Sequence, residues 1–543
     1  MTILGDARMY GRFALGLRRF LRQRTTVAEA EQHVRQELAQ REANFLRLLE
    51  RGVFGYRGSP YLPLLKLAGC ELGDVRAMLQ ARGLEPTLLA LREAGVYVSF
   101  EEFKGRQPIV RQGRVIPVRA QDFDNPYLSP AYYVQSGGST GAGMRVPVDL
   151  DHWAATSPMM LLTCAIHGVL NTPTVLWRGA LPDPTGFSNA LQGARMGNPP
   201  RRWFTPLTKN DTRPALKQRL ATNTAIRLAR LYGSHIPWPE PLRLDQAVVV
   251  ADWMSQTLRA EGTCLLRAPV SLSLRVALAA AEAGLDLHGA TFMGGGEPPT
   301  PAKVREITAS GARWVPNYAF AEHGVLATGC ARPLDGNDLH FMKQNLGLIQ
   351  YPRQVPGTEI EVPAFHFTSL MPTAPKLLLN VESDDYGVLE TRACGCPLEA
   401  LGLVEHLREV RSFRKLTGEG VTLVGSEMVR ILEEVLPSRF GGGPQDYQLL
   451  EEEDERGFTR LNLLVHPRVE IPEEGAVIAV VLEALGRGSV AADLARALWA
   501  QSGTLRVKRQ APIWTARGKL MPLHLARRTE RLTDTGGIGP ATP

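Results

Sequence analysis

A glycine-rich stretch lies between a hydrophobic entry and an acidic exit in the first third of the chain. It reads YYVQSGGSTGAGMRVPVDLDH over residues 132–152, with hydroxyl side chains at Ser136, Ser139 and Thr140. Backbone N–H groups in such a loop can converge on an anion, and the hydroxyls add further donors. This composition predicts an anion-binding loop, although a mobile surface loop has the same composition.

The stretch departs from the Walker A loop of P-loop NTPases. Gly138 and Gly143 have the spacing of two glycines of that motif, but Met144 and Arg145 stand where it requires Lys and Ser or Thr. If the loop binds phosphate, it does so in another way.

Two later loops each follow an apolar run. FMGGGEPPTPAKVREI, residues 292–307, has three glycines that permit close backbone approach to a flat or bulky group. WVPNYAFAEHG, residues 314–324, offers the Tyr318 ring for stacking and the Glu322 carboxylate as a hard ligand for Mg²⁺. Taken singly, an ordinary turn, a core tyrosine and a solvated glutamate account for the same residues.

Cysteine and histidine residues suggest a metal site. Cys394 and Cys396 form a C-x-C pair, and Cys330 and His340 precede them in the chain. Thiolates and an imidazole suit tetrahedral Zn²⁺. The alternative is three buried cysteines and a surface histidine.

The surrounding patterns predict the elements that position these residues. Residues 1–125 have mostly helical periodicity, as in VAEAEQHVRQELAQREANFLRLLERG, with a hairpin turning at Gln112-Gly113. In residues 126–410, apolar runs such as PTVLW, GTCLLRAP, LHGATFMGG and ARWVPNY alternate with amphipathic segments. This alternation predicts an α/β fold whose ligands bind beyond the carboxyl ends of the strands.

The pattern restarts in residues 411–530, which predict a small α+β domain. GSEMVRILEEVLP is predicted to be a helix capped by Ser426 and ended by Pro437, DYQLLEEEDERGFTRLNLLVHP a hairpin, and TLRVKRQAPI a last strand. Residues 531–543 have few large apolar side chains and are expected to be disordered.

Composition narrows the function classes. The 543 residues are 44% hydrophobic and 22% charged, as in globular proteins with a sizeable core, and contain no apolar run near the ~20 residues that span a bilayer. The N-terminal segment lacks a signal peptide's apolar core, so it is expected to be an amphipathic surface helix. Six cysteines in so long a chain do not form a disulfide scaffold, which favours a cytoplasmic location. The net charge of +7 is scattered, which favours anionic small substrates over nucleic acid or membrane partners.

The three loops, in this order, resemble the adenylate-forming superfamily, which includes acyl-CoA synthetases, adenylation domains of peptide synthetases and luciferases. They read SGGSTGAG, GGGEPP and NYAFAEHG here. The resemblance implies that the first holds the ATP phosphates, the second borders the adenine, and the third supplies a ring and the Mg²⁺-binding Glu322. The implied ATP-binding residues of these loops are Ser136, Gly137, Gly138, Ser139, Thr140, Gly141, Gly295, Gly296, Glu297, Pro298, Asn317, Tyr318 and Ala319.

Departures from the family pattern keep a non-catalytic relative open as an alternative. Met144-Arg145 replaces the usual Pro-Lys after the phosphate loop, and Ala321 replaces a small polar residue. Arg414 stands where the family's hinge acid is usual.

Motifs near the domain boundary and the C-terminus extend the resemblance over residues 90–525. VESDDYGVLETRACGCP is similar to the family's ribose-binding motif, with Asp385 as its aspartate, and Arg411 matches a ribose-binding arginine. PIWTARGKLMP is similar to the final motif, which makes Lys519 the catalytic lysine. An ammonium there would stabilise the negative charge that builds when a carboxylate attacks the α-phosphate.

An aspartate followed by a C-x-C pair resembles the phenylacetate–CoA ligase branch in particular. That resemblance implies a structural Zn²⁺ held by Cys330, His340, Cys394 and Cys396. It also makes CoA the leading acceptor and a homodimer an expected assembly.

The expected fold is therefore a large N-terminal domain of mixed sheets flanked by helices, followed by a small mobile lid. The expected activity is ATP- and Mg²⁺-dependent activation of a small carboxylic acid as an acyl-adenylate, followed by transfer to a thiol. A free-standing carrier protein or an amine is the alternative acceptor. The acid pocket should draw on residues 153–200 and 265–320, where Met159, Met160 and His167 are candidates that a core helix also explains.

Overall fold

The chain forms two compact units. The computed structural model describes residues 3–128, 130, 132–135, 145–180, 185–207, 216–296, 299–354, 361–412, 417–418, 421–422, 425–453, 459–485, 505–514, 518, 520 and 522–525. The larger unit comprises Met1–Arg353, Glu361–Ser412 and Trp514–Lys519. The smaller comprises Gln354–Ile360, Phe413–Ile513 and Leu520–Pro543.

The large unit begins with helices. They are α1 (Ile3–Arg22), α2 (Val27–Ala39), α3 (Arg41–Leu48), α4 (Tyr61–Leu67), α5 (Leu72–Arg82), α6 (Leu84–Glu93) and α7 (Phe100–Phe103). A capping box starts α2, because the Thr26 hydroxyl accepts from the Glu29 N–H and the Glu29 carboxylate accepts from the Thr26 N–H. The predicted hairpin is confirmed as β1 (Ile109–Arg111) and β2 (Arg114–Ile116), with positive φ of 48° at Gln112 and 75° at Gly113.

One mixed sheet of twelve strands forms the centre of the large unit, in the order β13-β14-β15-β16-β12-β11-β10-β9-β8-β5-β6-β7. Its strands are β5 (Thr174–Trp177), β6 (Arg202–Leu207), β7 (Pro239–Arg243), β8 (Cys264–Pro269), β9 (Ala290–Gly295), β10 (Arg313–Phe320), β11 (Gly324–Gly329), β12 (Leu339–Phe341), β13 (Leu346–Gln354), β14 (Glu361–Ser369), β15 (Val381–Thr391) and β16 (Glu405–Ser412). A separate pair, β3 (Tyr132–Gln135) and β4 (Arg145–Val148), flanks the glycine-rich loop. The predicted fold class is confirmed.

The run from β10 through β9, β8, β5 and β6 to β7 is parallel, and helices connect its strands. Those helices are α9 (Thr185–Arg195), α10 (Leu216–Leu231), α11 (Ala247–Glu261), α12 (Val270–Glu282) and α13 (Pro301–Ala309), and α8 (Leu150–Ile166) precedes β5. Four apolar runs predicted as strands from the sequence are β5, β8, β9 and β10. Such runs are apolar throughout because helices cover parallel strands on both faces, and every residue of β5, β8 and β9 is buried.

The small unit packs helices on a four-stranded sheet. Its helices are α14 (Gly425–Arg430), α15 (Leu436–Phe440) and α16 (Glu474–Leu485), and its sheet order is β21-β20-β19-β22. The strands are β17 (Thr417–Gly418), β18 (Val421–Thr422), β19 (Tyr447–Glu453), β20 (Thr459–Val465), β21 (Leu505–Arg509) and β22 (Leu523–Leu525), of which β17 and β18 pair separately. The predicted hairpin is β19–β20 and the predicted last strand contains β21, although the short β22 follows it.

The predicted limits of the first helix of this unit were wrong. Ser426 lies inside α14 and is not its cap, and the helical path continues through a π-turn, Ile431–Val435, to Phe440. Pro437 does not end it, because a proline in the first turn of α15 sacrifices no helical hydrogen bond. The helix ends at Gly441, whose φ is 78°. The tail predicted to be disordered, residues 531–543, lies outside the described residues.

The N-terminal helix α1 packs on the large unit through one apolar face. Phe13, Leu17, Phe20 and Leu21 are buried there, whereas Leu15 is 79% exposed. This one-sided burial agrees with the amphipathic surface helix expected from the sequence. Among the described helices, none is both long enough and apolar enough to cross a bilayer.

Candidate functional site

The carboxyl ends of β8, β9 and β10 form the edge at which the candidate ligand loops begin. Pro269 at the end of β8 pairs with Gly295 at the end of β9, and Gly294 pairs with Pro316 of β10. Beyond this point, β10 pairs with β11. A β-bulge at Tyr318/Ala319 changes the direction of the side chains of β10. In open α/β sheets, ligands bind at this edge.

The glycines of the second loop are required by the sheet itself. A Cβ at Gly294 would collide with the Ala268 carbonyl, and a Cβ at Gly295 would collide with Asn317. Gly296 has a φ of 85°, which only glycine adopts readily. Strand packing therefore accounts for these glycines, and their contact with adenine stays a prediction.

Tyr318 and Asp385 meet across the sheet. The Tyr318 hydroxyl donates to Asp385 Oδ2 at 2.7 Å, although three strands separate β10 from β15 in the sheet order. The antiparallel part of the sheet therefore curls towards the end of β10. Burial, reinforced by the Asp385 carboxylate, raises the pKa of Tyr318 well above its usual value, so the hydroxyl keeps its proton.

Arg411 lies beside this pair. It is opposite Tyr386 in the β15–β16 register, next to Asp385, which is opposite Ser412. Arg411 is half-buried, as are Asn317 and Tyr318, while Ala319 is exposed. The structure thus brings together the Tyr318 side chain and the Asp385 carboxylate, and it places Arg411 by strand position alone.

Glu322 follows β10 in a tight turn and is already paired. Lys104, at the end of α7, donates to Glu322 Oε1 at 2.7 Å, and both side chains are largely buried. His152 of α8 holds the same turn, because its Nε2 lies 2.8 Å from the His323 carbonyl. Burial lowers the pKa of His152 to about 4, so the ring is neutral and can donate to that carbonyl.

The sequence interpretation missed Lys104 and His152. Lys104 is 218 residues from Glu322, in a region predicted to be mostly helical, so nothing local in the sequence connects them. Arg145, which stands where the family's lysine follows the phosphate loop, is exposed and lies with its guanidinium 3.6 Å from the centre of the Tyr133 ring.

Several predicted ATP-site residues lie outside the described residues, so the structure does not address their positions. They are Ser136, Gly137, Gly138, Ser139, Thr140, Gly141, Glu297, Pro298 and Lys519.

A cluster of cysteines and histidines lies where β11, β12 and β16 adjoin. Ligand atoms of Cys330, His340, Cys394 and His406 all lie within 4.8 Å of one another. His340 Nε2 is 3.0 Å from Cys396 Sγ and 3.6 Å from Cys394 Sγ. The structure therefore brings together the four residues predicted for Zn²⁺ and adds His406. We call these five the thiol–imidazole cluster.

Neighbouring groups orient both imidazoles of the thiol–imidazole cluster. His340 Nδ1 donates to the Leu403 carbonyl at 2.8 Å, which leaves Nε2 to face the thiols. His406 Nδ1 donates to Asp338 Oδ1 at 2.6 Å, and Arg392 pairs with the same carboxylate. His406 Nε2 is buried without a hydrogen-bond partner in the part of the chain that the structure describes. Hydrogen bonds from the distal nitrogen to a carbonyl or carboxylate are typical of metal-bound histidines.

The thiols differ in proton affinity. A hydrogen bond from the Cys330 thiol holds the pKa of Cys396 far below its usual value, and the same contact raises the pKa of Cys330. One sulfur of the cluster is thus poised as a thiolate. Three sulfurs and two imidazole nitrogens are a donor set that suits Zn²⁺.

His406 is absent from the sequence prediction, and His340 is not on the surface as the alternative had it. Both rings are fully buried. His406 lies opposite His340 in the β12–β16 register. Only this pairing, which local sequence does not reveal, identifies it.

The fold matches solved structures of adenylate-forming ligases. The structure of 2-hydroxyisobutyryl-CoA ligase in the postadenylation state in complex with 2-HIB-AMP matches with a TM-score of 0.53 and 14% identity, over 90% of this chain and 89% of that chain. The same ligase in complex with R3-HIB-AMP gives 0.52 and 14%, over 90% of each chain. No protein-family profile and no curated protein sequence matches the chain. At this identity the similarity is one of fold, and the adenylate-forming fold implied by the motifs is confirmed.

Proposed function

We propose that this protein is an ATP-dependent ligase that activates a carboxylic acid as an acyl-adenylate and passes the acyl group to the thiol of CoA. One observation carries the proposal: the Tyr318 hydroxyl and the Asp385 carboxylate meet at the end of the strand that Glu322 follows. These are the positions at which the motifs imply ATP contacts. The related ligase fold with 2-HIB-AMP bound supports the same chemistry.

In the first step, a carboxylate oxygen of the acid attacks the α-phosphorus of ATP. The bond from the α-phosphorus to the bridging oxygen breaks, and that oxygen leaves with pyrophosphate. Negative charge builds on the α-phosphate oxygens during attack, and a positioned ammonium lowers the barrier by stabilising it. We assign that ammonium to Lys519.

Asp385 and Tyr318 are proposed to position the nucleoside. An aspartate carboxylate accepts hydrogen bonds from ribose hydroxyls, and an aromatic face stacks on a base. Because Tyr318 donates to Asp385, it also orients the carboxylate before ATP binds. Arg411 is proposed to supply a guanidinium for the same ribose on the strength of the motif resemblance alone.

Glu322 is proposed to hold the Mg²⁺ that accompanies ATP. Mg²⁺ is commonly bound by one or two carboxylates together with substrate phosphates and water, so a single buried carboxylate fits it. The ion would neutralise charge on the departing pyrophosphate. The Lys104 ammonium already pairs with one oxygen of that carboxylate, so Mg²⁺ would have to bind beside it or displace it.

In the second step, a thiol sulfur attacks the acyl carbonyl, and AMP leaves with the electrons of the acyl–oxygen bond. The thiol proton passes to solvent or to the AMP phosphate. The resemblance implies that the small unit moves between the two steps. This movement would gate the transfer step.

The thiol–imidazole cluster is proposed to bind a structural Zn²⁺. Cys330, Cys394, Cys396 and one of the two histidines would complete a tetrahedral shell and pin the segment after β15 to the sheet. This feature supports the phenylacetate–CoA ligase branch as the finer placement.

The experiment that tests the proposal separates the two half-reactions. Lys519→Ala should reduce acid-dependent pyrophosphate release by at least about 100-fold, while transfer from a supplied acyl-adenylate to CoA changes little. Lys508→Ala is the control, since Lys508 forms an ordinary ion pair with Glu452 in the small unit. Unchanged adenylation in Lys519→Ala would refute the assigned role.

A further inference from the structure

Within the described part of the chain, the guanidinium of Arg267 is buried without an acidic partner. Arg267 lies on β8 and is 5% exposed. Its Nη1 lies 3.2 Å from Asn189 Oδ1 and 3.7 Å from Met160 Sδ, and its Nη2 lies 3.0 Å from Cys164 Sγ. None of these three contacts in the described residues is to a carboxylate.

Such an arrangement is costly unless an anion completes it. Arginine stays protonated in proteins, and a buried charge without a counter-ion costs several kcal/mol. Thiol and thioether sulfurs are weak acceptors, so two of the three contacts of Arg267 compensate little. A free anion that enters beside Arg267 would recover this energy.

Arg195 is a second buried arginine without a carboxylate partner among the described residues, and its Nε has no hydrogen-bond partner there, but its Nη1 has a carbonyl acceptor. It is 6% exposed, and its Nη1 donates to the Phe20 carbonyl at 2.6 Å. Its guanidinium also lies 4.8 Å from the centre of the Phe20 ring. These contacts tie α9 to α1. Arg267, in contrast, ties helices α8 and α9 to β8 only through an amide oxygen and two sulfurs.

The position of Arg267 connects it to the proposed active site. It lies two residues before the end of β8, and the two residues that follow it pair with Gly294 and Gly295. Those glycines begin the loop whose motif implies an adenine contact. The contacts of Arg267 come from residues 160–189, within the segment in which the sequence predicts the acid pocket.

We propose that Arg267 binds a second carboxylate of the acid substrate, so that the substrate is a dicarboxylic acid. This inference rests on the proposed function: one carboxylate reacts with ATP and the other pairs with the buried guanidinium. A guanidinium matches a carboxylate in bidentate geometry. One fixed positive charge balances one carboxylate and not the dianion of a phosphate group.

The test compares acids of equal length that differ in a terminal carboxylate: butyrate with succinate, valerate with glutarate, hexanoate with adipate, and benzoate with terephthalate. For the best-fitting length, kcat/KM for pyrophosphate release should favour the diacid by about 100-fold or more. A site built to bind a polar group rejects strongly the analogue that lacks it. Arg267→Met should abolish that preference and leave the monoacid unchanged or improved, which also shows that the variant folds.

Three variants act as controls. Arg267→Lys keeps the charge but loses bidentate geometry, so it should give an intermediate preference. Arg195→Met should lower the unfolding temperature without changing the diacid-to-monoacid ratio. Cys164→Ala should keep the preference, because the counter-ion of Arg267 is the substrate. Loss of the preference in Cys164→Ala alone would overturn this assignment.

The proposal also fails if the wild type favours the monoacids, or if Arg267→Met reduces both acids of a pair in equal proportion. Absence of pyrophosphate release with every acid would instead overturn the proposed function, and binding then tests the inference separately. The preferred diacid should raise the unfolding temperature of the wild type but not of Arg267→Met. If none of the diacids raises it, the inference fails.

Discussion

The thiol–imidazole cluster and the Tyr318–Glu322 edge are both built from buried polar groups on the same sheet, but their partners differ. In the cluster, a second layer of residues holds both imidazoles: the Leu403 carbonyl fixes His340, and Asp338 fixes His406. At the edge, the functional groups hold one another, as Tyr318 holds Asp385 and Lys104 holds Glu322.

This difference indicates two kinds of occupant. Groups whose free atoms converge while their other atoms are tied to the scaffold suit a permanent ion. Groups that satisfy one another until a ligand replaces one partner suit a substrate that binds and leaves. This difference supports the proposed structural role of the cluster and the proposed catalytic role of the edge.

The largest effect is expected from breaking the cluster. Cys396→Ser should remove stoichiometric zinc and lower the unfolding temperature by about 10 °C, because structural zinc contributes folding free energy directly. Elemental analysis and thermal unfolding measure both quantities. Cys70→Ser, at a half-buried cysteine outside the cluster, is the control. A zinc-free wild type, or a variant that keeps its zinc, would contradict the structural role.

A smaller effect is expected from loosening the edge. Tyr318→Phe removes the hydrogen bond to Asp385 and should weaken ATP binding by about tenfold, since a hydrogen bond to a charged group contributes on the order of 1.5 kcal/mol or more. Titration calorimetry with ATP measures the change. Tyr133→Phe keeps the ring beneath Arg145 and should leave affinity as it is. Equal affinities for wild type and Tyr318→Phe would show that Tyr318 does not position Asp385 for the nucleotide.

The smallest effect is expected on the Mg²⁺ requirement, because Lys104 and Mg²⁺ would compete for the Glu322 carboxylate. Lys104→Met removes the ammonium that competes for this carboxylate, so half-maximal activity should need roughly three- to tenfold less Mg²⁺. A Mg²⁺ titration of pyrophosphate release gives the value. Lys343→Met breaks a comparable ion pair with Glu405 and should not move the midpoint. A higher Mg²⁺ requirement in Lys104→Met would mean that Lys104 assists the ion.

The parallel strands were predictable because a strand covered on both faces leaves a continuous apolar run. The turn at Gln112-Gly113 was also predictable, since its two residues adopt positive φ. The end of the helix near Pro437 was not predictable from the proline alone. Proline ends a helix when it removes a hydrogen bond, and in the first turn of α15 it removes none.

The site was predictable only where function leaves a local pattern. A C-x-C pair marks its own position, so Cys394 and Cys396 were named, while His406 is one histidine in a strand and reaches the cluster through strand pairing. Lys104 meets Glu322 through the fold, as Arg267 meets Asn189. Each of these partners comes from long-range topology, which one sequence does not encode locally.

Isotope exchange between pyrophosphate and ATP tests whether the protein forms an acyl-adenylate, because it reports the reversible first step without any acceptor. With Mg²⁺ and ATP present, label from pyrophosphate should enter ATP only when a carboxylic acid is supplied, and Lys519→Ala should abolish the exchange. Aliphatic, aromatic and amino acids, with mono- and dicarboxylic members, form the panel. If the protein binds ATP but shows no exchange with any of these acids, the proposed adenylate-forming activity is refuted.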